Sequence, residues 1–249
     1  MFDKDKILAK VGIGSAEVDT RLDRDRFRPG ETFTAQVVVD GGGTDREIEG
    51  LVLKLMVEMR EEPGEAARTK AIDTWHLHDG FTIHEGDQRV TDFEGRLHPE
   101  TPVTEWSCRQ NLSKVWIHTG LDVESAVDPK DKDYLRIEPT EPMAAVLSAI
   151  ERSGYRPERL TVDPDRVQAG EVSAELHCDQ EFPFRPENRR SSRFKEVEVH
   201  FVPREDRTHV LLEFDFPRQS EQFRSMVVDD DDFSVDGIQR EFRRHADAV

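Results

Sequence analysis

A two-residue alternation of apolar and polar positions dominates this chain. Ala16, Val18, Thr20 and Leu22 share one face of a segment whose other face carries Glu17, Asp19 and Arg21, the pattern of a half-buried strand. Asp23 to Arg28 is a charged connection, and Pro29-Gly30 signals a type II turn. Phe33, Ala35, Val37 and Val39 then face inward along a second strand, closed by Gly41-Gly42-Gly43. A third strand is expected over 47–60, with Leu51, Leu53, Leu55, Val57 and Met59 on one side. Its length implies either a twisted sandwich strand or a bulge. Glu61 to Thr69 reads as a polar hairpin loop. Further strands are expected at 70–78, 81–84, 88–97 and 103–108, then along Val115, Ile117, Thr119 and Leu121, and again from Tyr134 through Leu135 to Ile137.

One stretch departs from this period. Pro139 and Pro142 lack the N–H that sheet pairing needs. Thr140 suits an N-cap with Pro142 in the first turn. Met143, Val146, Leu147 and Ile150 recur at helical spacing, and Gly154 suits the left-handed residue that ends a helix. After it the strand pattern returns. Short strands are expected at 159–162 and 197–201, at 210–216, and where Val172, Ala174, Leu176 and Cys178 alternate with polar residues. Phe182 to Arg193 reads as a basic, proline-interrupted loop, and 219–229 is ambiguous. An acidic run, Asp229 to Asp232, precedes a charged helix at roughly 235–247. Residues 1–13 suggest a short helix or arm; Gly12-Ile-Gly14 lacks the preceding strand and third glycine of a dinucleotide loop. The expectation is an all-β protein of two β-sandwich domains, 1–138 and a smaller 155–249, joined by a linker with a helix at 139–154.

Composition narrows the function. The 249 residues carry a net charge of -18, which argues against binding a phosphate backbone or inserting at an anionic membrane. Of the 35 basic residues only nine are Lys, a bias that fits either a high-salt cytoplasm or a GC-rich genome. Cys108 and Cys178 form no disulfide framework or CxxC pair, so a reducing cytoplasm is the default location. No signal-peptide pattern opens the sequence, and no apolar run reaches membrane-spanning length.

Candidate chemistry is sparse. His76 and His78 share one strand face, with Trp75 on the other and His84 after a turn. With Asp79 or Glu85 they would make a zinc site, although an exposed strand face carrying histidines is the simpler reading. Asp128, Asp131 and Asp133, with Asp122 upstream, offer oxygen ligands for calcium. They lack the glycine and terminal Glu of an EF-hand loop, so Asx turns and domain-contact hydrogen bonds are the expected use of these aspartates, with Tyr134 and the Pro139–Pro142 hinge as structural or interdomain residues. Ser15 lacks the GxSxG elbow and Cys108 alternates with Trp106 as a core residue would, so no nucleophile is indicated. No cofactor motif is present.

Two blocks carry a family resemblance. One is Val11-Gly-Ile-Gly-Ser-Ala-Glu-Val-Asp-Thr, followed by Pro29-Gly30-Glu31 and a Val-rich strand ending in Gly-Gly. The other is Leu121-Asp-Val with Ala126-Val-Asp-Pro-x-Asp-x-Asp-Tyr-x-x-Ile, ahead of a helix ending Ala149-Ile-Glu-Arg-Ser-Gly. Both, together with Thr101-Pro-Val-Thr, resemble the sporulation-control proteins of the stage-zero M group. The resemblance is specific over most of 10–155 and looser beyond. It implies two tandem arrestin-like sandwiches and a non-enzymatic regulatory role exerted on protein partners, for which Trp75, His76 and His78 are candidate contacts. The contrasting expectation is a sandwich that binds a small ligand or metal, or hydrolyses a substrate, centred on Trp75–His84.

Overall fold

A computed structural model describes residues 16–60, 64, 66–123, 130–188, 190 and 192–249, with the backbone alone at Asp122 and Val123. Asp128 and the Gly12-Ile-Gly14 turn lie outside the described residues. By internal contacts the chain divides into two compact units. One holds the residues up to Val57 with Lys70–His98 and Val115–Arg136; the other holds Glu58–Thr69, Pro99–Lys114 and Ile137–Val249.

In the first unit, alternation along the chain becomes two facing sheets. Strands Glu17–Leu22, Thr32–Asp40 and Gln88–Arg96 form one antiparallel sheet in that order. The other runs Arg26–Phe27, Lys130–Ile137, Lys114–Val123, Arg46–Met59, Arg68–His78, with Phe81–Ile83 paired to the start of Arg46–Met59. Phe33, Ala35, Val37 and Val39 from one sheet and Leu51, Leu53, Leu55, Ile117 and Leu121 from the other are buried. The two layers are also tied by polar groups: the Thr20 and Thr119 hydroxyls share a buried hydrogen bond, and the Thr20 N–H donates to Asp131 Oδ2 at 2.7 Å. The 14-residue strand Arg46–Met59 is continuous, but its buried set changes parity between Ile48 and Leu51, around Glu49-Gly50. One segment departs from expectation. Residues 103–108 are not a strand; the Val103 N–H donates to Gln180 Oε1, and Thr104 and Glu105 N–H both donate to the Ile137 carbonyl. Side-chain and single-carbonyl acceptors take the place of a ladder there.

The second unit is built on a larger sheet in the order Gln222–Asp229, Arg207–Asp215, Glu196–Pro203, Asp179–Pro186, Arg159–Asp163, Gln110–Asn111, with Tyr155–Pro157 also paired to Asp179–Pro186. Asp179–Pro186 was expected to turn into a loop at Phe182 because of its prolines. It is instead a central strand, and the register shows why. The Pro183 carbonyl accepts from the Glu158 N–H, so the edge of Pro183 without an N–H faces the one point where its neighbour is interrupted between Tyr155–Pro157 and Arg159–Asp163. The expected strand 172–178 is shorter: only Val172–Ser173 pair, with Gln168–Ala169. Glu175 and Leu176 N–H instead donate to the Glu100 carboxylate, which also receives Arg204 at 2.9 Å. The ambiguous 219–229 stretch resolves as the strand Gln222–Asp229.

Two helices cover one face of this sheet. Glu141–Glu151 is capped by Thr140 with Pro142 in its first turn, and Val235–Ala248 is capped by Ser234, whose Oγ accepts from Gly237 N–H. Met143, Val146, Leu147 and Ile150 join Phe182, Phe184, Val197, Val199, Leu212 and Phe214 in one core, with Ile238 and Phe242 from the second helix. The helix read from sequence as a connector is therefore also a core element of the second unit. On the opposite face, Val167, Ala169 and Ala174 of the small hairpin pack on Val202, with Leu211 beside them.

Candidate functional site

The strand Glu196–Pro203 reads Glu-Val-Glu-Val-His-Phe-Val-Pro. Its period of two sends Val197 and Val199 into the helix-covered core and places Glu196, Glu198 and His200 on the other face. On that face the register sets Glu198 directly across from Glu213, a like-charge pair that destabilises a sheet unless something offsets it. Asp179, Glu181 and Arg159 come from the two strands on the other side. Arg159 is shared: it lies 3.4 Å from Glu198 and 3.9 Å from both Glu181 and Glu196. Arg185 takes Glu196 at 2.8 Å, and Glu158 is held between Arg185 and Arg109.

His200 is the centre of this cluster. It is 4% exposed. Its Nδ1–H donates to Asp179 Oδ1 at 2.8 Å, while Nε2 makes no hydrogen bond and lies 4.0 Å from Glu213 Oε2. Ligand atoms of Glu198, His200 and Glu213 all lie within 4.8 Å of one another, and among the described residues they are the group of this kind. Burial works to lower the His200 pKa. The Asp179 hydrogen bond and the charges of Asp179, Glu181 and Glu198 overcome it and push the value up to about 9. Burial raises the Glu198 and Glu181 carboxyls, with the charges of Glu181 and Glu196 adding to it at Glu198 and those of Asp163 and Asp179 at Glu181, and raises Glu213 to about 7 with help from Glu198 and Glu221. The cluster holds more carboxylates than cations, so it retains protons that ordinary carboxylates would have lost.

The residues singled out from sequence lie outside this cluster. Trp75 packs edge-on against Phe33 at 5.5 Å and lies 5.7 Å from Phe93, inside the first unit. His76 is exposed. His78 Nε2 contacts Thr91 Oγ1 at 3.1 Å, and His84 pairs with Asp45 at 3.1 Å on the surface. The three histidines do not converge on a ligating group among the described residues. Asp131 bonds Thr20 and Lys132 N–H groups, and Asp133 is buried opposite Ile117. The side chain of Asp122 and all of Asp128 lie outside the described residues. Pro142 is buried in the first helical turn, and Pro139 is half-buried before it. Tyr134 is 54% exposed; it lies beside Trp116, and Lys132 Nζ stands 3.8 Å over the Trp116 ring.

A second feature is an open sheet edge. Gln222–Asp229 ends the large sheet, and among the described residues no strand pairs with its outer side. Phe223 and Val227 on this strand are 51% and 48% exposed. The Asp229–Asp232 run follows; within it Asp230 is tied down by Asp206 and Thr208.

Sequence reasoning missed the Glu198–His200–Glu213 group, although its signal was present. A charged residue at every second position normally marks a solvated strand face; here the strand is central in its sheet and His200 is buried on that face.

Comparison with known proteins places the chain in a family. A family model described as Spo0M, SpoOM protein, matches residues 4–219. The sporulation-control protein spo0M of Bacillus subtilis is 30% identical over 213 residues, spanning 84% of this chain and 79% of that one. The crystal structure of Spo0M from Bacillus subtilis superposes with a TM-score of 0.80 at 24% identity, covering 95% of this chain and 99% of that one. The expected mostly β architecture, with two main sheet regions, a linker helix and a C-terminal helix, is thus the one observed, and the chain belongs to the SpoOM protein family.

Proposed function

We propose that this chain is a non-catalytic regulatory protein of the sporulation-control type, acting in a cell-state decision by holding other proteins. The observation that carries this reading is the strand Gln222–Asp229: a sheet edge with no strand paired to its outer side among the described residues, bearing exposed Phe223 and Val227. Such an edge receives an extended segment as an added strand, with side-chain pockets and exposed apolar residues selecting the sequence. The charge of -18 and the adjoining Asp229–Asp232 run favour a partner segment that mixes apolar and basic residues. Family membership supports a regulatory role. The arrangement of Trp75, His76, His78 and His84 lends no support to a ligand site there.

The test is proximity labelling in the source cell with the wild-type chain and with Phe223→Lys/Val227→Lys. Both residues are exposed, so the variant should keep its fold. A reproducible set of proteins labelled by wild type and lost from the variant is expected. Identical labelling by both would refute the assignment of this edge.

A further inference from the structure

We propose that Glu198, His200 and Glu213 form a binding site for a divalent transition-metal ion, with zinc the best match to one imidazole nitrogen and two carboxylates. This goes beyond partner binding and rests on different residues.

The geometry carries the argument. His200 Nε2 is buried, has no hydrogen-bond partner and faces Glu213, whose Oε2 is 4.0 Å away. Two ligands about 2.0–2.1 Å from a tetrahedral zinc stand roughly 3.3 Å apart, so a shift of about 0.7 Å closes the His200–Glu213 gap and side-chain rotation of up to about 1.5 Å brings in the whole set, whose ligand atoms lie within 4.8 Å of one another. The other ring nitrogen donates to Asp179 at 2.8 Å. That carboxylate keeps the Nδ1 proton in place, so an ion at Nε2 takes the place of the second ring proton, which leaves to solvent on binding. Glu198 and Glu213 face one another across the strands, so an ion between them would turn a repulsive pair into a bridging one. Their side chains are 17% and 18% exposed, which leaves a way in for an ion that His200 alone would not offer.

Arg159 is the cation already present. It is divided among Glu181, Glu196 and Glu198, and its contacts do not extend to Glu213. Calcium and magnesium fit less well, because they take oxygen ligands and leave the imidazole unused.

The experiment uses the full chain without an affinity tag, stripped with a chelator and titrated with zinc chloride by calorimetry at neutral pH. The expected result is one zinc per chain, a higher melting temperature with zinc, and no displacement by excess magnesium. Glu213→Gln, a near-isosteric change at a partly exposed position, should weaken binding at least tenfold. Asp179→Asn should weaken it by about 10–100-fold through loss of the orienting hydrogen bond. His76→Gln/His78→Gln should leave it unchanged. Absence of stoichiometric zinc on the wild-type chain would overturn the proposal. So would zinc binding that survives Glu198→Gln and Glu213→Gln undiminished, since the ion would then sit elsewhere.

Discussion

At the scale of single residues, Gly95 shows how tightly the first unit is filled. A Cβ placed there would lie 2.7 Å from the Phe33 ring and 2.8 Å from the Phe93 ring, and both rings pack with Trp75. Gly95→Ala must therefore displace an aromatic group. The expected cost is about 1–3 kcal/mol, read as a lower midpoint in urea unfolding with an unchanged slope. Cys108 behaves as the alternation with Trp106 suggested. It is half-buried, and burial pushes its thiol above the ordinary 9.0, with Glu158 adding to the shift and a backbone hydrogen bond from Gln110 opposing it. A raised thiol pKa contributes stability that is complete below pH 9.0 and fades as pH climbs through the folded value. Iodoacetamide should accordingly alkylate Cys108 more slowly in the native chain than in the denatured chain at every pH up to 9.0. Equal native and denatured rates would show that the thiol is not held in this environment. Glu100 was illegible by contrast. Nothing near it in sequence indicates that Glu175, Leu176 and Arg204 will converge on its carboxylate, because that convergence depends on contacts across more than seventy positions.

At the scale of elements, the strands whose two faces differ were readable, and the elements whose environment is set by a neighbour were not. Ile48 to Met59 and Thr32–Asp40 announce themselves by alternation; Thr140, Pro142 and Gly154 punctuate the first helix where the structure has it. Asp179–Pro186 was hidden because a proline in a central strand is acceptable only where the adjacent chain breaks, and no local signal reports that break. The Glu198–His200–Glu213 group was hidden for a related reason. Polarity at alternate positions says which face a residue is on but not whether another layer covers it. The C-terminal helix depends on Ile238 and Phe242, spaced one turn apart on its buried side. Phe242 lies 5.5 Å from Tyr155 and 6.2 Å from Phe214, ring to ring. Phe242→Ala should cost about 3–5 kcal/mol and should speed hydrogen exchange along Val235–Ala248 first. A loss below about 1 kcal/mol would mean that the helix is not anchored through this ring.

At the scale of the molecule, two β-rich units and a strongly acidic surface combine with a sheet edge whose outward residues are apolar. No helix among the described residues is long and apolar enough to cross a membrane. On the proposed reading, the -18 charge repels acidic proteins and attracts basic segments, and the edge at Gln222–Asp229 is where such a segment would pair. The architecture was expected from the alternation and from the two sequence blocks. The edge was not, because 219–229 carries a weak pattern in which Phe223 and Val227 point away from the core that Met226 and Val228 enter. The most direct measurement places a photo-reactive amino acid at position 227 of the full chain, in the source cell, and maps the crosslinked peptides by mass spectrometry. The account predicts reproducible adducts to one short segment of a partner protein, extended and carrying basic residues, with none from the same probe at buried position 228. Adducts scattered over many unrelated surfaces, or none at 227 while partners crosslink through another part of the chain, would contradict it.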